Sequence, residues 1–164
     1  MKNKLIFEFS KNKTDGDSSL NNLLGGKGAN LAEMSNMKIP VPPGFTITTE
    51  VCNYFTENNK LPDNLDNEIR KAVKNLESLS DKSFGGEGTP LLLSVRSGGR
   101  VSMPGMMDSV LNIGLNDSNV FQLAEAFNDE RFALDSYRRL IQMYSNVVLG
   151  VEHERFEAVL ANKK

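Results

Sequence analysis

A single cysteine, Cys52, and a single histidine, His153, occur in 164 residues, and each shortage excludes a class of protein. A lone thiol forms no internal bridge. With no Cys or His cluster around it, neither a disulfide-stapled secreted scaffold nor a zinc site can be built. Cys52 reads as a small core residue. His153, on a polar stretch, reads as a solvated side chain with no metal-binding role. An excess of one charge is lacking too: 19 basic residues against 21 acidic ones give a net charge of −2, which provides no field for wrapping a nucleic-acid backbone. An anionic ligand therefore has to be caught by a few placed groups. Long apolar runs are also missing. Residues 1–8 carry charge on both sides of a three-residue apolar patch, so there is no signal-peptide core, and no run approaches membrane-spanning length. The expectation is a cytoplasmic protein without membrane contact.

The common nucleotide-binding signatures are absent as well. Gly26-Lys27-Gly28 is not a Walker loop, because Gly28 stands where Ser or Thr would hold magnesium and Asn21 stands where the first glycine is required. No strand runs into a Gly-x-Gly-x-x-Gly turn, so a dinucleotide fold has no support. What is present is a globular composition, 39% apolar and 24% charged. At this length a chain hides roughly 68–70% of the surface its unfolded form exposes, so a core can hold it together without bridges or metal.

Along the chain, Leu5, Phe7 and Phe9 share one face of an extended segment, and the polar stretch 11–22 reads as a surface loop. After Gly28 the run Ala29-Asn30-Leu31-Ala32-Glu33-Met34 is a good helix former. The segment Pro40-Val41-Pro42-Pro43-Gly44 has to be extended and leads into a short strand over 45–48, with Thr49 as the cap of the next helix and Glu50 in its first turn. Leu65, Ile69, Ala72, Val73 and Leu76 recur at helical spacing. Leu91-Leu92-Leu93-Ser94-Val95 is apolar enough for a strand buried on both faces, ending at Arg96, and 110–113 reads as a return strand. From Ser118 the pattern becomes helical: Val120, Leu123, Ala124 and Phe127 share a face, then Ala133, Tyr137, Leu140, Ile141, Tyr144, Val147 and Val148, with Gly150 as a left-handed stop. Strands early and helices late predict an α+β fold: a small mixed sheet with flanking helices over residues 1–115, and a helical subdomain over 116–164. The last amphipathic run, with Phe156, Val159 and Leu160, ends at Lys163-Lys164 without a cap, as a chain cut from something longer does.

Three stretches can carry chemistry. Lys27 lies between glycines directly before a helix, where backbone can approach a phosphate and the helix N-terminus carries roughly half a positive charge. An exposed lysine in a glycine turn is the other reading. Arg96 projects from the end of a strand, where a guanidinium can grip phosphate oxygens bidentately or form a structural ion pair. The stretch from Ser97 through Gly98, Gly99, Arg100, Val101, Ser102, Met103, Pro104, Gly105, Met106, Met107 and Asp108 to Ser109 bears glycines and has hydroxyls at both ends, so it can fold over a polyphosphate. Its methionines otherwise serve as adaptable core filler.

Leu24-Gly25-Gly26-Lys27-Gly28-Ala29-Asn30-Leu31-Ala32-Glu33-Met34, Ile39-Pro40-Val41-Pro42-Pro43-Gly44-Phe45, Ser94-Val95-Arg96-Ser97-Gly98 and Ser102-Met103-Pro104-Gly105-Met106-Met107-Asp108 closely resemble the start of the pyruvate, phosphate dikinase family. The first two are shared with phosphoenolpyruvate synthase and rifampicin phosphotransferase; the last is more specific to the pyruvate, phosphate branch. The resemblance implies part of an ATP-grasp domain that takes ATP with magnesium and passes its β-phosphoryl group to a carrier histidine on another domain. The γ-phosphoryl group goes to inorganic phosphate, and a barrel domain converts pyruvate to phosphoenolpyruvate. It further implies that Lys27 and Arg96 contact ATP phosphates, Arg96 also stabilising the transferring group, and that Ser102, Met103, Gly105, Met106, Met107, Asp108 and Ser109 close over them. Gly99 and Ser109 stand where the family usually has alanine and threonine. The implied magnesium ligands, second jaw, phosphohistidine domain and barrel lie beyond residue 164, so none of these 164 residues is expected to hold metal. The expectation is an inactive piece of a homo-oligomeric parent. Its alternatives are a synthase-type enzyme and a non-catalytic module that binds nucleotide or a partner.

Overall fold

The computed structural model describes residues 4–98 and 108–161. Four strands and six helices follow in the order β1 (Ile6–Phe9), α1 (Asn21–Asn36), β2 (Gly44–Ile47), α2 (Thr49–Asn58), α3 (Leu65–Ser80), β3 (Leu93–Arg96), β4 (Ser109–Ile113), α4 (Val120–Phe127), α5 (Glu130–Val147) and α6 (His153–Ala161), with a 3-10 turn at Ser18–Leu20 before α1. The fold is of mixed α and β type, as expected. The single mixed sheet is not found among the described residues: the strands form two separate antiparallel pairs, β1 with β2 and β3 with β4.

Two compact units result, one from residues 4–79 with Gly98 and the other from 80–97 with 108–161. The reason is packing: β4 and α5 share a core, so the second strand pair groups with the late helices.

In the first unit β1 and β2 pair in the register Ile6 to Ile47 through Phe9 to Gly44. Leu5 and Ile6 enter a core with Val51 of α2 and with Leu65 and Ala72 of α3, flanked by Phe45 and Ile69. The i, i+4, i+7 spacing of α3 thus does what it predicts, turning one stripe inward. Thr48, not Thr49, stands at the start of α2 and is fully buried, its Oγ1 without a partner, while Thr49 Oγ1 donates to the Asn22 carbonyl at 2.8 Å. Cys52 is exposed on α2, against the expectation of a core residue, because the buried position on that helix belongs to Val51.

The second unit gathers Val110, Leu115, Val120, Leu123, Ala133 and Leu140. Its β4-to-α4 turn is held by the buried Asn119, whose Nδ2 donates to the Gly114 carbonyl at 2.7 Å and whose Oδ1 accepts the Asn116 N–H at 2.8 Å. Asp129 caps α5 by accepting the Phe132 N–H at 2.9 Å, and Gly150 takes φ +68 after the helix, as expected of a left-handed stop. Phe127, expected on the buried face of α4, is 60% exposed and lies against the Phe132 ring at 5.3 Å. β3 departs further. Only Leu91 of the apolar run is buried, and Ser94, Val95 and Arg96 are exposed. With β4 as its one partner and a register irregularity between Leu93 and Val95, β3 is an edge, not a strand covered on both faces.

The segment after β1 is tied down electrostatically. Asp15 accepts the Glu8 N–H at 3.0 Å and sits 2.7 Å from Lys4 Nζ and 3.6 Å from Lys13 Nζ. Partial burial opposes ionisation of its carboxyl, but the Lys4 and Glu8 hydrogen bonds and the two ammonium charges outweigh it and hold the pKa below its ordinary 3.8. A depressed carboxylate stabilises the fold above its unfolded value, and that contribution fades as the pH falls through the folded one. Asp15→Asn should therefore lower the urea midpoint at pH 7, and the difference from wild type should shrink below pH 3.8; a gap that persists unchanged in acid would refute the ion-pair account.

Candidate functional site

Helix α1 begins at Asn21, earlier than the glycine cluster suggested. Leu24, Ala29, Ala32 and Ser35 face inward. Ser35 Oγ donates to the Ser10 carbonyl at 3.0 Å and lies 2.8 Å from Thr14 Oγ1. The helix is interrupted: Gly25 has φ +69 and ψ +164, a region open almost only to glycine, and splits α1 in two. Lys27 thereby falls in the first turn of the second part, where N–H groups lack an earlier turn's carbonyls and the helix dipole is positive.

The glycines around Lys27 do different work. At Gly28 an added Cβ would lie 2.7 Å from Thr46 Cγ2 and 2.8 Å from Thr46 Oγ1, so the helix passes β2 with no room for a methyl group. At Gly26 the nearest atom, Asn21 Oδ1, would be 3.6 Å away and φ is not positive. Neither conformation nor packing requires glycine there. Lys27 is half-buried, and among the described residues no carboxylate pairs with it.

In the second unit Arg96 is the last residue of β3, exposed, and opposite Ser109. It projects from the end of its strand, as expected, and its ladder is a two-stranded antiparallel one. No ion pair engages Arg96 among the described residues. Just beyond it, the Ser97 N–H and Oγ both donate to the Asp108 carbonyl, at 3.0 and 3.3 Å. The structure thus brings together Arg96, Ser97, exposed Asp108 and half-buried Ser109. Ser102, Met103, Gly105, Met106 and Met107 lie outside the described residues. Lys27 belongs to the first unit. Sequence reasoning missed the break at Gly25, for which the Gly25-Gly26 pair inside a helical pattern was the available signal.

His153 is exposed on α6 with Nε2 3.4 Å from Glu157 Oε1. Among the described residues no three His, Cys, Asp or Glu side chains gather as a metal site. None of the described helices is long and apolar enough to cross a membrane.

Comparison with known proteins gives the frame for these residues. The family described as "Pyruvate phosphate dikinase, AMP/ATP-binding domain" matches residues 21–85. Pyruvate, phosphate dikinase of Rickettsia prowazekii (strain Madrid E) is 54% identical over 164 residues, covering 99% of this chain and 19% of the relative. The chain is a homologue of part of pyruvate, phosphate dikinase. The dikinase of Rhizobium meliloti (strain 1021) is 51% identical over 162 residues, 98% of this chain and 18% of the relative. That of Entamoeba histolytica is 52% identical over 151 residues, 92% and 17%. The chain thus spans about 18% of the length of its dikinase relatives, and the family match takes in α1, with its Gly25 break and Lys27.

The glycine geometry separates packing from ligand approach. Gly28→Ala should cost about 1–3 kcal/mol through overpacking against Thr46, whereas Gly26→Ala should be neutral or raise stability by up to about 1 kcal/mol, as alanine does in a helix. Urea unfolding of both variants tests this, and equal losses at the two positions would contradict it.

Proposed function

We propose that this chain supplies part of the ATP-binding domain of a dikinase-type phosphotransferase acting in the cytoplasm, with Lys27 and Arg96 as cations for ATP phosphate oxygens. The observation that carries the reading is that, among the described residues, neither cation is paired with a carboxylate, and one of them lies in a helical first turn created by a glycine-only backbone break. An ammonium near helix N–H groups and a guanidinium at a strand end are the donor types that spread phosphoryl charge calls for. The chain's net charge of −2 leaves the attraction to these local groups.

In this reading the fold is part of an ATP-grasp, residues 1–115 carrying the phosphate-binding elements and 116–164 the helical part. Ser102, Met103, Gly105, Met106, Met107, Asp108 and Ser109 form the segment that covers the phosphates, anchored by the Ser97–Asp108 hydrogen bonds. The reaction of the whole enzyme is ATP + pyruvate + phosphate to AMP + phosphoenolpyruvate + diphosphate, through a carrier histidine. Magnesium, when bound with ATP, neutralises phosphate charge, and its carboxylate ligands belong to the remainder of the enzyme. These residues bind and orient the nucleotide and exclude water; they do not carry the phosphoryl group themselves.

Titration calorimetry of the 164-residue chain with magnesium-ATP should show weak binding and no phosphoryl transfer. In a dikinase-length protein carrying these residues, Arg96→Ala removes a charge-assisted contact worth about 1.5–3 kcal/mol, slowing the nucleotide half-reaction roughly 10- to 150-fold. An unchanged half-reaction rate removes Arg96 from the site.

A further inference from the structure

Strand β4 holds a residue with a left-handed backbone. Asn112 has φ +61 inside the Ser109–Ile113 strand, a region that asparagine tolerates better than most residues with a side chain. The ladder is irregular at the same place. Leu93 pairs with Ile113 and Val95 with Val110, so Leu111 and Asn112 together face Ser94, two residues against one, which makes a β-bulge.

Alternation along a strand sends residues three apart to opposite faces. Val110 and Ile113 are three apart, yet Val110 is buried in the core of the unit and Ile113 packs against that same core, because the extra residue turns the strand back inward. The bulge is fastened to α5: Asn112 Nδ2 donates to the Ser136 carbonyl at 3.0 Å, and Ser136 lies on the buried face of that helix. Beyond the bulge the chain has no slack. The Leu115 N–H donates to the Asn112 carbonyl at 3.2 Å, and a Cβ on Gly114 would collide with the Leu91 carbonyl.

The Ile113 end of the ladder is therefore held by the core and by the turn that follows. The Arg96 end takes its register from the bulge. With Ile113 opposite Leu93, a regular ladder would set Arg96 opposite Val110 instead of Ser109 and turn Val110 out of the core. The Ser97–Asp108 hydrogen bonds fasten that end, but the bulge decides which residues meet in it.

We infer that Asn112 is a positioning residue for Arg96: its left-handed bulge, clamped to α5, sets the register that places the guanidinium opposite Ser109. The inference rests on the ATP reading for the use of Arg96, not for its register.

Two measurements on the same substitutions test it. In the 164-residue chain, the nuclear Overhauser contact between the α-protons of residues 96 and 109 should persist in Asn112→Gly, since glycine takes a positive φ freely, and should lose about half its intensity or more in Asn112→Ala. In a dikinase-length protein carrying these residues, the nucleotide half-reaction should slow no more than about threefold in Asn112→Gly. In Asn112→Ala it should slow about tenfold, on the order of the penalty that a left-handed backbone puts on an L side chain. With Arg96→Ala already present, Asn112→Ala should slow it less than about twofold further, because both changes act through one guanidinium. Glycine and alanine both lack the amide that bonds Ser136, so a loss due to that bond alone makes the two variants equal. Equal rates overturn the inference, as does a 96–109 contact undisturbed by alanine or a full tenfold loss on top of Arg96→Ala. If Arg96→Ala alone leaves the rate unchanged, the ATP reading falls and the Overhauser contact alone decides the register.

Discussion

The passage of α1 across β2 at Gly28 leaves no space for a methyl group on the helix, and the position of the lysine before it depends on that contact. With Gly28 pressed against Thr46, the helix axis and its rotation are fixed relative to the strand pair. Lys27, one residue and about 100° away around the helix, is then set on the flank, with its stem half-covered. The break at Gly25 completes the arrangement by starting a fresh turn two residues earlier. Two glycines thus set the lysine's place by different means, one through closeness and one through a backbone conformation that side chains resist.

The cations of the first unit divide by the company they keep. Lys4 and Lys13 are engaged with Asp15 and hold the segment after β1 in place; Lys27 has no such partner among the described residues. A cation already paired has its field cancelled within a few ångströms, whereas an unpaired one on a near-neutral protein is a local anion trap. The same contrast recurs in the second unit, where Arg138 and Arg139 share Asp135 and Arg96 stands apart.

Where local pattern and packing agreed, the sequence was readable. The stripe of α3, the inward residues of α4 and the core-facing positions Ala133 and Leu140 of α5 follow from spacing alone, because an amphipathic helix has one way to satisfy its apolar face. Failures came where neighbours distant in sequence decide. The leucines at 91–93 are apolar enough for an interior strand, but burial depends on how many elements cover it, and β3 has one ladder partner. Val51 took the inward place on α2 and left Cys52 in solvent. Glycines lower helix propensity by about 1 kcal/mol each, so the start of α1 was expected after Gly28. Packing against β2 carried the helix through them. Of the candidate site, the residue types at 27 and 96 and the return strand paired with Arg96 were legible; the exposure of β3 was not, since it depends on how many elements cover the strand.

The paired hydrogen bonds from Ser97 to the Asp108 carbonyl join the two ends of the intervening stretch independently of its contents. Once the ends are pinned, lengthening such a stretch costs little, about 0.6 kcal/mol of closure entropy for each doubling. The guanidinium of Arg96 beside this clasp thus keeps its station through bonds made locally at the end of the β3–β4 ladder.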